Sequence, residues 1–395
     1  SAQTKVAVVN LQKAVLDSND FVRQNAVKGL GLTGMPEAMA PVMACAKDND
    51  EYVRLNVAEA LAKFGGERAI AALVQMLDDN NRQVARKAHE TLAELKWKPA
   101  GVEQSVKDML AAERKADDIS ALGKPAVPVL LKELGAKDRD RLALAITALG
   151  KIGDPVVVEP LMLALAGDDS TAREAAASAL GEIRDDRAVI PLIACLKDKD
   201  RATRSAAAES LGQIGDKRAW EPLVEAISGA MVPDDDKTCI AASKALASIG
   251  NPAAIEGLKT ALGRRKDPDK VVLWLRFALA KLNDNRKAHV SALVEALTSD
   301  LGDTACEVMG KFGKSGLDAS ELDGVSRMLG HTEPKVRSRA ADILGELGPQ
   351  AVIPVLWQRL TTEENEEVRD ALRKAIRSAE ENKAKGGSPR FLDKS

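Results

Sequence analysis

Two stretches of this chain carry the same amphipathic pattern at a regular distance. The stretch REAAASALGEI at 173–183 is followed 31 residues later by RSAAAESLGQI at 204–214. Aligning the chain on the leucine of this pattern gives apolar residues at intervals of 27–35 residues: Leu30, Leu61, Leu92, Leu122, Leu149, Leu180, Leu211, Leu246, Leu279, Met309, Leu344 and Ile376. A period of this length is typical of repeat proteins, in which each unit packs mainly on its neighbours.

Each repeat contains two helical patterns separated by polar turns. The segment AVIPLIACLKD (188–198) has apolar residues at helical spacing, and the second pattern is rich in alanine, which lets helices approach closely. Turns such as IGDP (152–155) contain the glycine that commonly ends a helix. Aromatic residues make up only 3% of the chain, a composition that suits helices better than sheets. The predicted fold class is therefore all-α, an α-solenoid of about twelve helical hairpins arranged as a superhelix.

An arginine recurs seven residues before the aligned position in half of the repeats. These residues are Arg23, Arg54, Arg173, Arg204, Arg337 and Arg369. Four residues before three of them lie Asp50, Asp169 and Asp200, where a carboxylate can cap the second helix. We expect each arginine to reach a carboxylate in its own or the adjacent turn, which would form an inter-repeat ladder. A catalytic role is not expected, because one acid–base pair would be repeated many times.

Two longer segments resemble a known family. DSTAREAAASALGEIRDDRAVIPLIACLKD and DKDRATRSAAAESLGQIGDKRAWEPL are similar to HEAT repeats of the short bacterial type, the PBS-lyase HEAT-like repeats. The resemblance implies a right-handed curved stack with first helices outside and second helices on the concave side. We expect this HEAT-like solenoid to occupy residues 1–378, with irregular units near 98–122 and 228–313. A C-terminal tail is expected at 379–395.

The sequence offers little that resembles catalytic chemistry. Its four cysteines, Cys45, Cys195, Cys239 and Cys306, are far apart, and only one of the three histidines, His89, is followed by a glutamate. Phosphate-binding loops and dinucleotide fingerprints do not occur. We therefore expect a protein that is not an enzyme and that has neither a cofactor nor a metal site.

Charge and hydropathy narrow the class of partner. The net charge is −2, and acidic residues outnumber basic ones at the predicted concave positions, which argues against nucleic acid as a partner. No apolar run reaches the roughly 20 residues that span a bilayer. Unpaired cysteines slightly favour the cytoplasm, while the start at Ser1 leaves export to the periplasm open.

A partner-binding surface is predicted where apolar residues interrupt the polar concave positions. Ile240, Leu273 and Phe277 fall there in two adjacent units, beside an insertion at 228–237. Neighbouring exposed apolar residues are typical of docking sites. The alternative is that the longer repeats rotate these side chains into the core. Trp357 aligns with an outward position and is expected to be exposed near the C-terminal end.

The predicted function is a non-enzymatic protein-binding scaffold, an adaptor or an assembly subunit of a larger complex. Its protein partner would lie on the concave face. The resemblance implies one alternative, a lyase-type subunit that acts on a tetrapyrrole-bearing protein.

Overall fold

Helices joined by short polar turns make up the whole described chain. The computed structural model describes residues 2–229, 235–265, 269–313, 316–347 and 350–384, and these residues contain no β-strand. The predicted all-α class is therefore confirmed. The chain divides into two units, Ser1–Ala188 and Val189–Ser395.

The first unit contains twelve α-helices within its described residues. They are α1 (Ala2–Ala14), α2 (Asp20–Thr33), α3 (Pro36–Ala44), α4 (Glu51–Phe64), α5 (Gly66–Met76), α6 (Arg82–Glu94), α7 (Val102–Ala111), α8 (Ala116–Ser120), α9 (Val127–Glu133), α10 (Arg139–Ile152), α11 (Val158–Leu165) and α12 (Ser170–Ile183). Short 3₁₀ turns occur at Cys45–Lys47, Lys124–Ala126, Pro155–Val157 and Asp186–Ala188.

The described part of the second unit also contains twelve α-helices. They are α13 (Val189–Cys195), α14 (Arg201–Ile214), α15 (Trp220–Ile227), α16 (Asp236–Ile249), α17 (Ile255–Arg264), α18 (Lys270–Lys281), α19 (Arg286–Glu295), α20 (Gly302–Gly310), α21 (Ala319–Met328), α22 (Pro334–Leu347), α23 (Ile353–Thr362) and α24 (Glu366–Ala384). Its 3₁₀ turns are Lys217–Ala219, Pro252–Ala254, Ala296–Thr298 and Gln350–Val352.

Odd-numbered helices are the first helices of the hairpins, and even-numbered helices are the second. In the first unit α2, α4 and α6 pack in succession, as do α8, α10 and α12. In the second unit the even-numbered helices from α14 to α24 pack in the same way. The aligned leucines are in the core, except for the partly buried Leu122; Leu30, Leu61 and Leu211 are fully buried. The predicted α-solenoid is confirmed as a stack of helical hairpins.

Polar caps and left-handed residues set the ends of the second helices. The side chain of Asp50 accepts the backbone N–H of Val53, and Asp200 accepts that of Thr203. At the other end, Gly153 and Gly215 adopt left-handed conformations that close α10 and α14. The capping role predicted for these aspartates is confirmed.

Neighbouring second helices approach so closely that a side chain cannot fit between them. A Cβ atom on Gly212 in α14 would lie 2.7 Å from the Cα atom of Ala245 in α16. The same arrangement brings together Gly31 and Ala60, Gly150 and Ala179, and Gly345 and Ala375. Small residues at these positions therefore set the distance between repeats.

Two regions depart from the regular hairpin. The second helix of the unit near 98–122, α8, has five residues. In the region 228–313, α18 is buried on nearly all of its faces. The last helix, α24, continues to Ala384, beyond the predicted end of the repeats at 378. The rest of the predicted tail (385–395) and residues 230–234 of the insertion lie outside the described residues.

Candidate partner-binding surface

The recurring arginines connect each hairpin to the turn of the next one. Nε and Nη2 of Arg23 donate hydrogen bonds to the two carboxylate oxygens of Asp48, both at 2.8 Å. Nη1 donates to the backbone carbonyl groups of Asp17 (3.0 Å) and Ser18 (3.1 Å). One guanidinium thus satisfies the turn of its own hairpin and binds the carboxylate of the following turn in bidentate fashion.

The same pairing recurs in both units, at Arg54–Asp79 in the first unit and at Arg204–Asp235 and Arg337–Glu363 in the second. The sequence interpretation grouped the arginines with the capping residues Asp50, Asp169 and Asp200. In the structure Arg23 binds Asp48, which lies two residues before the capping residue Asp50, and Arg54 binds Asp79, which lies two residues before the capping residue Asn81. In these two turns the motif Asp-x-Asp/Asn was the available signal, since its first residue accepts the arginine and its last residue caps the helix. Asp235 combines the two roles, because it accepts Arg204 and also caps α16.

Arg173 and Arg369 complete the predicted set. Nη1 of Arg173 donates to the carbonyl groups of Gly167 and Asp168. Asp169 caps α12 through the N–H of Ala172 and also pairs with Arg139 at 2.8 Å. Arg369 is different, because its nearest carboxylate, that of Glu366, lies at 3.7 Å and its Nε has no hydrogen-bond partner.

The carboxyl group of Glu363 should make the free energy of unfolding depend on pH. The hydrogen bond from Arg337 lowers the pKa of this buried carboxyl from 4.5 to about 2. Because the folded-state pKa lies below the unfolded-state value, the stabilisation is complete above about pH 4.5 and is lost as the pH falls towards 2. We expect this group to contribute about 3 kcal/mol to the pH dependence of the free energy of unfolding.

Urea unfolding of the full chain between about pH 5 and about pH 2 tests this expectation. The matched variant Glu363→Gln has no carboxyl at this position and should show the weaker pH dependence. Identical pH dependence in the two proteins would contradict the assignment.

The patch predicted at Ile240, Leu273 and Phe277 is not an exposed surface. Leu273 and Phe277 are buried and Ile240 is partly buried, so the exposure that the docking hypothesis required was predicted wrongly for the two residues of α18. Phe277 packs edge-to-face against Trp274 and Phe312, with ring centroids 5.7 and 5.0 Å apart. The alternative considered from sequence, rotation of these side chains into the core, describes the structure.

Neighbouring second helices cover this aromatic cluster. Nζ of Lys244 in α16 lies 4.1 Å from the ring centroid of Trp274, and it also pairs with Glu307 of α20 at 3.8 Å. Side chains from α16 and α20 therefore meet across the face of α18 that the sequence placed on the inner surface. A helix that is apolar on all sides is usually buried in this way.

Two exposed aromatic residues occupy equivalent positions of neighbouring hairpins in the first unit. Phe21 and Tyr52 are the second residues of α2 and α4, and 68% and 55% of their surfaces are exposed. Each lies nine residues before the aligned leucine, about 2.5 helical turns, and therefore on the opposite side of the helix. Leu55, on the turn after Tyr52, is half-buried. We call Phe21, Tyr52 and Leu55 the aromatic face.

The aromatic face was not predicted from the sequence, because Phe21 and Tyr52 lie outside the repeat positions expected on the concave surface. The signal was nevertheless present, since Phe21 and Tyr52 both lie two residues before a ladder arginine. Trp357 on α23 was expected from the sequence to be exposed, and 49% of its surface is exposed. A partner-binding role for Trp357 stays a prediction, as does one for Ile240.

The short hairpin around α8 opens a polar groove in the first unit. Arg82 pairs with Glu113 at 2.6 Å and with Asp140 at 2.5 Å. Arg141 takes the place of a ladder arginine, but it reaches backwards to the carbonyl group of Leu77 at 2.8 Å. The groove lined by these ion pairs has a volume of about 220 Å³. Within this groove Arg82 pairs with Glu113 and Asp140, so these three charged groups already have partners.

Three of the cysteines and two of the histidines are affected by burial or by a neighbouring carboxylate. Burial raises the pKa of Cys306 to about 11 and also raises the pKa values of Cys45 and Cys239. Nδ1 of His89 lies 2.7 Å from a carboxylate oxygen of Asp108. Burial lowers the pKa of His289, so this imidazole is neutral at pH 7. Across the described residues, no group of three or more His, Cys, Asp or Glu side chains could hold a metal ion.

In the described part of the chain, no helix is both long enough and apolar enough to span a bilayer.

Comparison with curated proteins returns no match. Among solved structures, yeast importin-beta (Kap95p) is 12% identical, with a TM-score of 0.48 over 96% of this chain and 62% of its own. A phycocyanin lyase complex from Nostoc is 21% identical, with a TM-score of 0.44 over 64% of this chain and 94% of its own.

Family models match the sequence directly. The model of HEAT repeats matches residues 9–93, 158–234 and 290–377, and that of the PBS lyase HEAT-like repeat matches residues 143–167. The HEAT-repeat matches alone cover more than half of the chain, and they coincide with the stacked hairpins described above. The chain belongs to the HEAT-repeat family.

Proposed function

We propose that this protein is a non-enzymatic scaffold. Its protein partner binds the solvent-exposed side of the second helices, opposite the buried leucines. The observation that supports the proposal most is the aromatic face, where Phe21 and Tyr52 occupy equivalent positions on adjacent helices. The chain has five phenylalanines, four tryptophans and a single tyrosine, so these two exposed rings in one register are two of its ten aromatic residues. Aromatic residues frequently dominate the binding energy of protein interfaces.

The spacing of the aromatic face suggests the chemistry of its partner. Adjacent packed helices lie about 10 Å apart, which is also the length of three residues of extended chain or seven residues of helix. A partner segment with two apolar side chains at either spacing could contact Phe21 and Tyr52 together. The charges nearby are mixed, with Lys28 and Glu59 both exposed, so specificity would depend on apolar spacing more than on net charge.

A comparison of variants tests the proposal. The double variant Phe21→Ala/Tyr52→Ala should retain the fold, because both rings are exposed, and should lose the partner. The control Leu163→Ala removes an equally exposed apolar side chain from the first helix α11. A protein captured from the native source by wild type and by the control, but not by the double variant, supports the aromatic face. Affinity measured with that purified protein should fall at least about 30-fold.

Two results would contradict the proposal. Equal capture by all three proteins would place the partner elsewhere on the chain. A coloured ligand that co-purifies with the chain, together with transfer of that ligand to an acceptor protein, would instead favour the alternative of a lyase-type subunit. The Nostoc phycocyanin lyase complex motivates this second assay.

A further inference from the structure

The second helices α2 and α4 begin with the same six-residue pattern. It reads DFVRQN at 20–25 and EYVRLN at 51–56, which lie 31 residues apart. Its valine and arginine serve the fold, since Val53 is fully buried and the two arginines bind ladder carboxylates. The acid, the aromatic residue and the asparagine occur together in none of the other second helices described above, so the stack of hairpins does not require them. Their repetition points to a ligand that contacts both helices.

The shared acid and aromatic residue are exposed to solvent. Tyr52 lies on α4, which packs between α2 and α6, and 55% of its surface is still exposed, so neighbouring repeats do not cover this position. Asp20 and Glu51 are also exposed. Glu51 accepts a hydrogen bond from Asn81, but neither carboxylate forms an ion pair with any described residue. The positions next to the rings are therefore acidic and complementary to a basic ligand.

Gln24 connects the two copies of the pattern. Its Nε2 donates a hydrogen bond to Oδ1 of Asp50 at 2.9 Å, and its backbone carbonyl group accepts one from Nδ2 of Asn56 at 3.3 Å. Gln24 lies one helical turn after Phe21, so these bonds join α2 to α4 close to the rings. The aromatic face is therefore held in one arrangement before a ligand binds, which lowers the entropic cost of binding.

Hydrogen-bonding groups lie one helical turn from each ring. Nδ2 of Asn25 donates to the carbonyl group of Phe21 at 2.8 Å, and Nδ2 of Asn56 donates to Gln24. Each amide nitrogen carries a second N–H group, which no described residue accepts. The backbone groups of a helical partner are satisfied within its own helix, whereas an extended partner has free carbonyl groups for these donors.

The distance between α2 and α4 selects one kind of extended chain. Packed helices lie about 10 Å apart. In a polyproline II helix, residues three positions apart point to the same side and are separated by about 9 Å. In a β-strand, residues three positions apart point to opposite sides, so they cannot both contact the rings. A polyproline II segment therefore presents equivalent side chains to Phe21 and Tyr52.

We propose that the aromatic face binds a proline-rich segment of a partner protein in the polyproline II conformation, with one basic residue in each three-residue period. This inference rests on the proposed function and names the chemistry of its partner. Prolines three residues apart pack on the two rings, and the basic side chains pair with Asp20 and Glu51. The carbonyl groups of the segment accept the free N–H groups of the two asparagines. The mixed charges of Lys28 and Glu59 lie about two helical turns from the rings, outside this segment.

Tyr52 is the only tyrosine in the chain, so it can report directly on this surface. Incorporating 3-fluorotyrosine into the full chain gives one 19F resonance, which the peptide acetyl-(Pro-Arg-Pro)4-amide should shift until it saturates. A peptide of the same composition with all its arginines in one block should bind about fivefold more weakly, because it lacks the three-residue period. An alanine-rich helical peptide with two Leu-Arg pairs seven residues apart should leave the resonance unchanged.

Variants of the shared residues test the contacts with this peptide. Asp20→Asn/Glu51→Gln should weaken binding of (Pro-Arg-Pro)4 about fivefold or more, because two exposed ion pairs are lost. The matched control Glu221→Gln/Glu225→Gln removes two exposed carboxylates from α15 and should bind like wild type. Phe21→Ala should weaken binding about tenfold or more and leaves the fluorinated ring in place to report it.

The two asparagines are tested together. Asn25→Ala/Asn56→Ala should weaken binding about fivefold, because two hydrogen bonds to the peptide are lost. Its circular dichroism spectrum should match that of wild type.

Three results would overturn this inference. The Tyr52 resonance could stay unchanged with (Pro-Arg-Pro)4 at up to about 1 mM. Binding could be the same in wild type and in Asp20→Asn/Glu51→Gln. The helical peptide could shift the resonance while the proline-rich peptide does not, which would assign a helical partner to the aromatic face and leave the proposed function intact. The proposed function fails separately, when capture of a partner from the native source does not depend on Phe21 and Tyr52.

Discussion

Replacing Arg204 with alanine should lower the free energy of unfolding of the second unit by about 3 kcal/mol. Arg204 and Asp235 are both buried, and their charged groups lie 2.7 Å apart. The substitution leaves a buried carboxylate without its main counterion and two turn carbonyl groups, those of Asp198 and Lys199, without a donor. This loss of unfolding free energy is at the low end of the range for removal of one partner of a buried ion pair, because Arg201 and Thr238 still bind Asp235.

Arg201→Ala is the matched control for Arg204→Ala. Arg201 pairs with the same carboxylate at 2.9 Å, but half of its side chain is exposed, so its removal should cost less than about 1 kcal/mol. Hydrogen exchange of α14–α16 amides at increasing urea concentration reports the stability of this region directly. Similar losses of unfolding free energy in Arg204→Ala and Arg201→Ala would show that burial does not determine how much these ion pairs stabilise the protein.

Substituting alanine for Gly212 should destabilise the second unit by about 1–3 kcal/mol, although alanine favours helices. The added Cβ would lie 2.7 Å from the Cα atom and 2.8 Å from the Cβ atom of Ala245. No rotamer change relieves a clash with backbone, so α14 and α16 must move apart and lose contact along their length. Urea unfolding and hydrogen exchange of both helices measure this loss.

Gly263→Ala provides a comparison of opposite sign. Gly263 lies in helix α17 of the same unit, and a Cβ there would meet nothing within 4 Å. The substitution should raise the free energy of unfolding by about 0.5–1 kcal/mol through helix propensity alone. Stabilisation by both substitutions would mean that the close approach at Gly212 is not a constraint on packing.

Local patterns explain why so much of the fold could be predicted from sequence. The apolar period, the capping residues Asp50 and Asp200 and the glycines that end α10 and α14 act within a few residues of each helix. The repeat also shows each local signal many times, so irregular copies do not obscure it. The hairpins and their boundaries follow from these signals.

The burial of a side chain and its choice of ion-pair partner depend on residues distant in sequence, so they could not be predicted from local patterns. The burial of Leu273 and Phe277 depends on the helices α16 and α20 that pack on either side of α18, and on the ring of Phe312 that contacts Phe277. The choice of Asp48 over Asp50 as the acceptor of Arg23 depends on where the next turn lies in space.

The ladder also has a direction, since Arg23, Arg54, Arg204 and Arg337 each bind a carboxylate that comes later in the chain. Asp48 follows Arg23 by 25 residues, and Asp235 follows Arg204 by 31. During synthesis the newest hairpin to leave the ribosome therefore carries an uncompensated guanidinium until the following turn emerges. Translation adds the acceptor within a few seconds at typical elongation rates. The nascent protein would thus always have one ladder arginine, that of its newest hairpin, without its carboxylate.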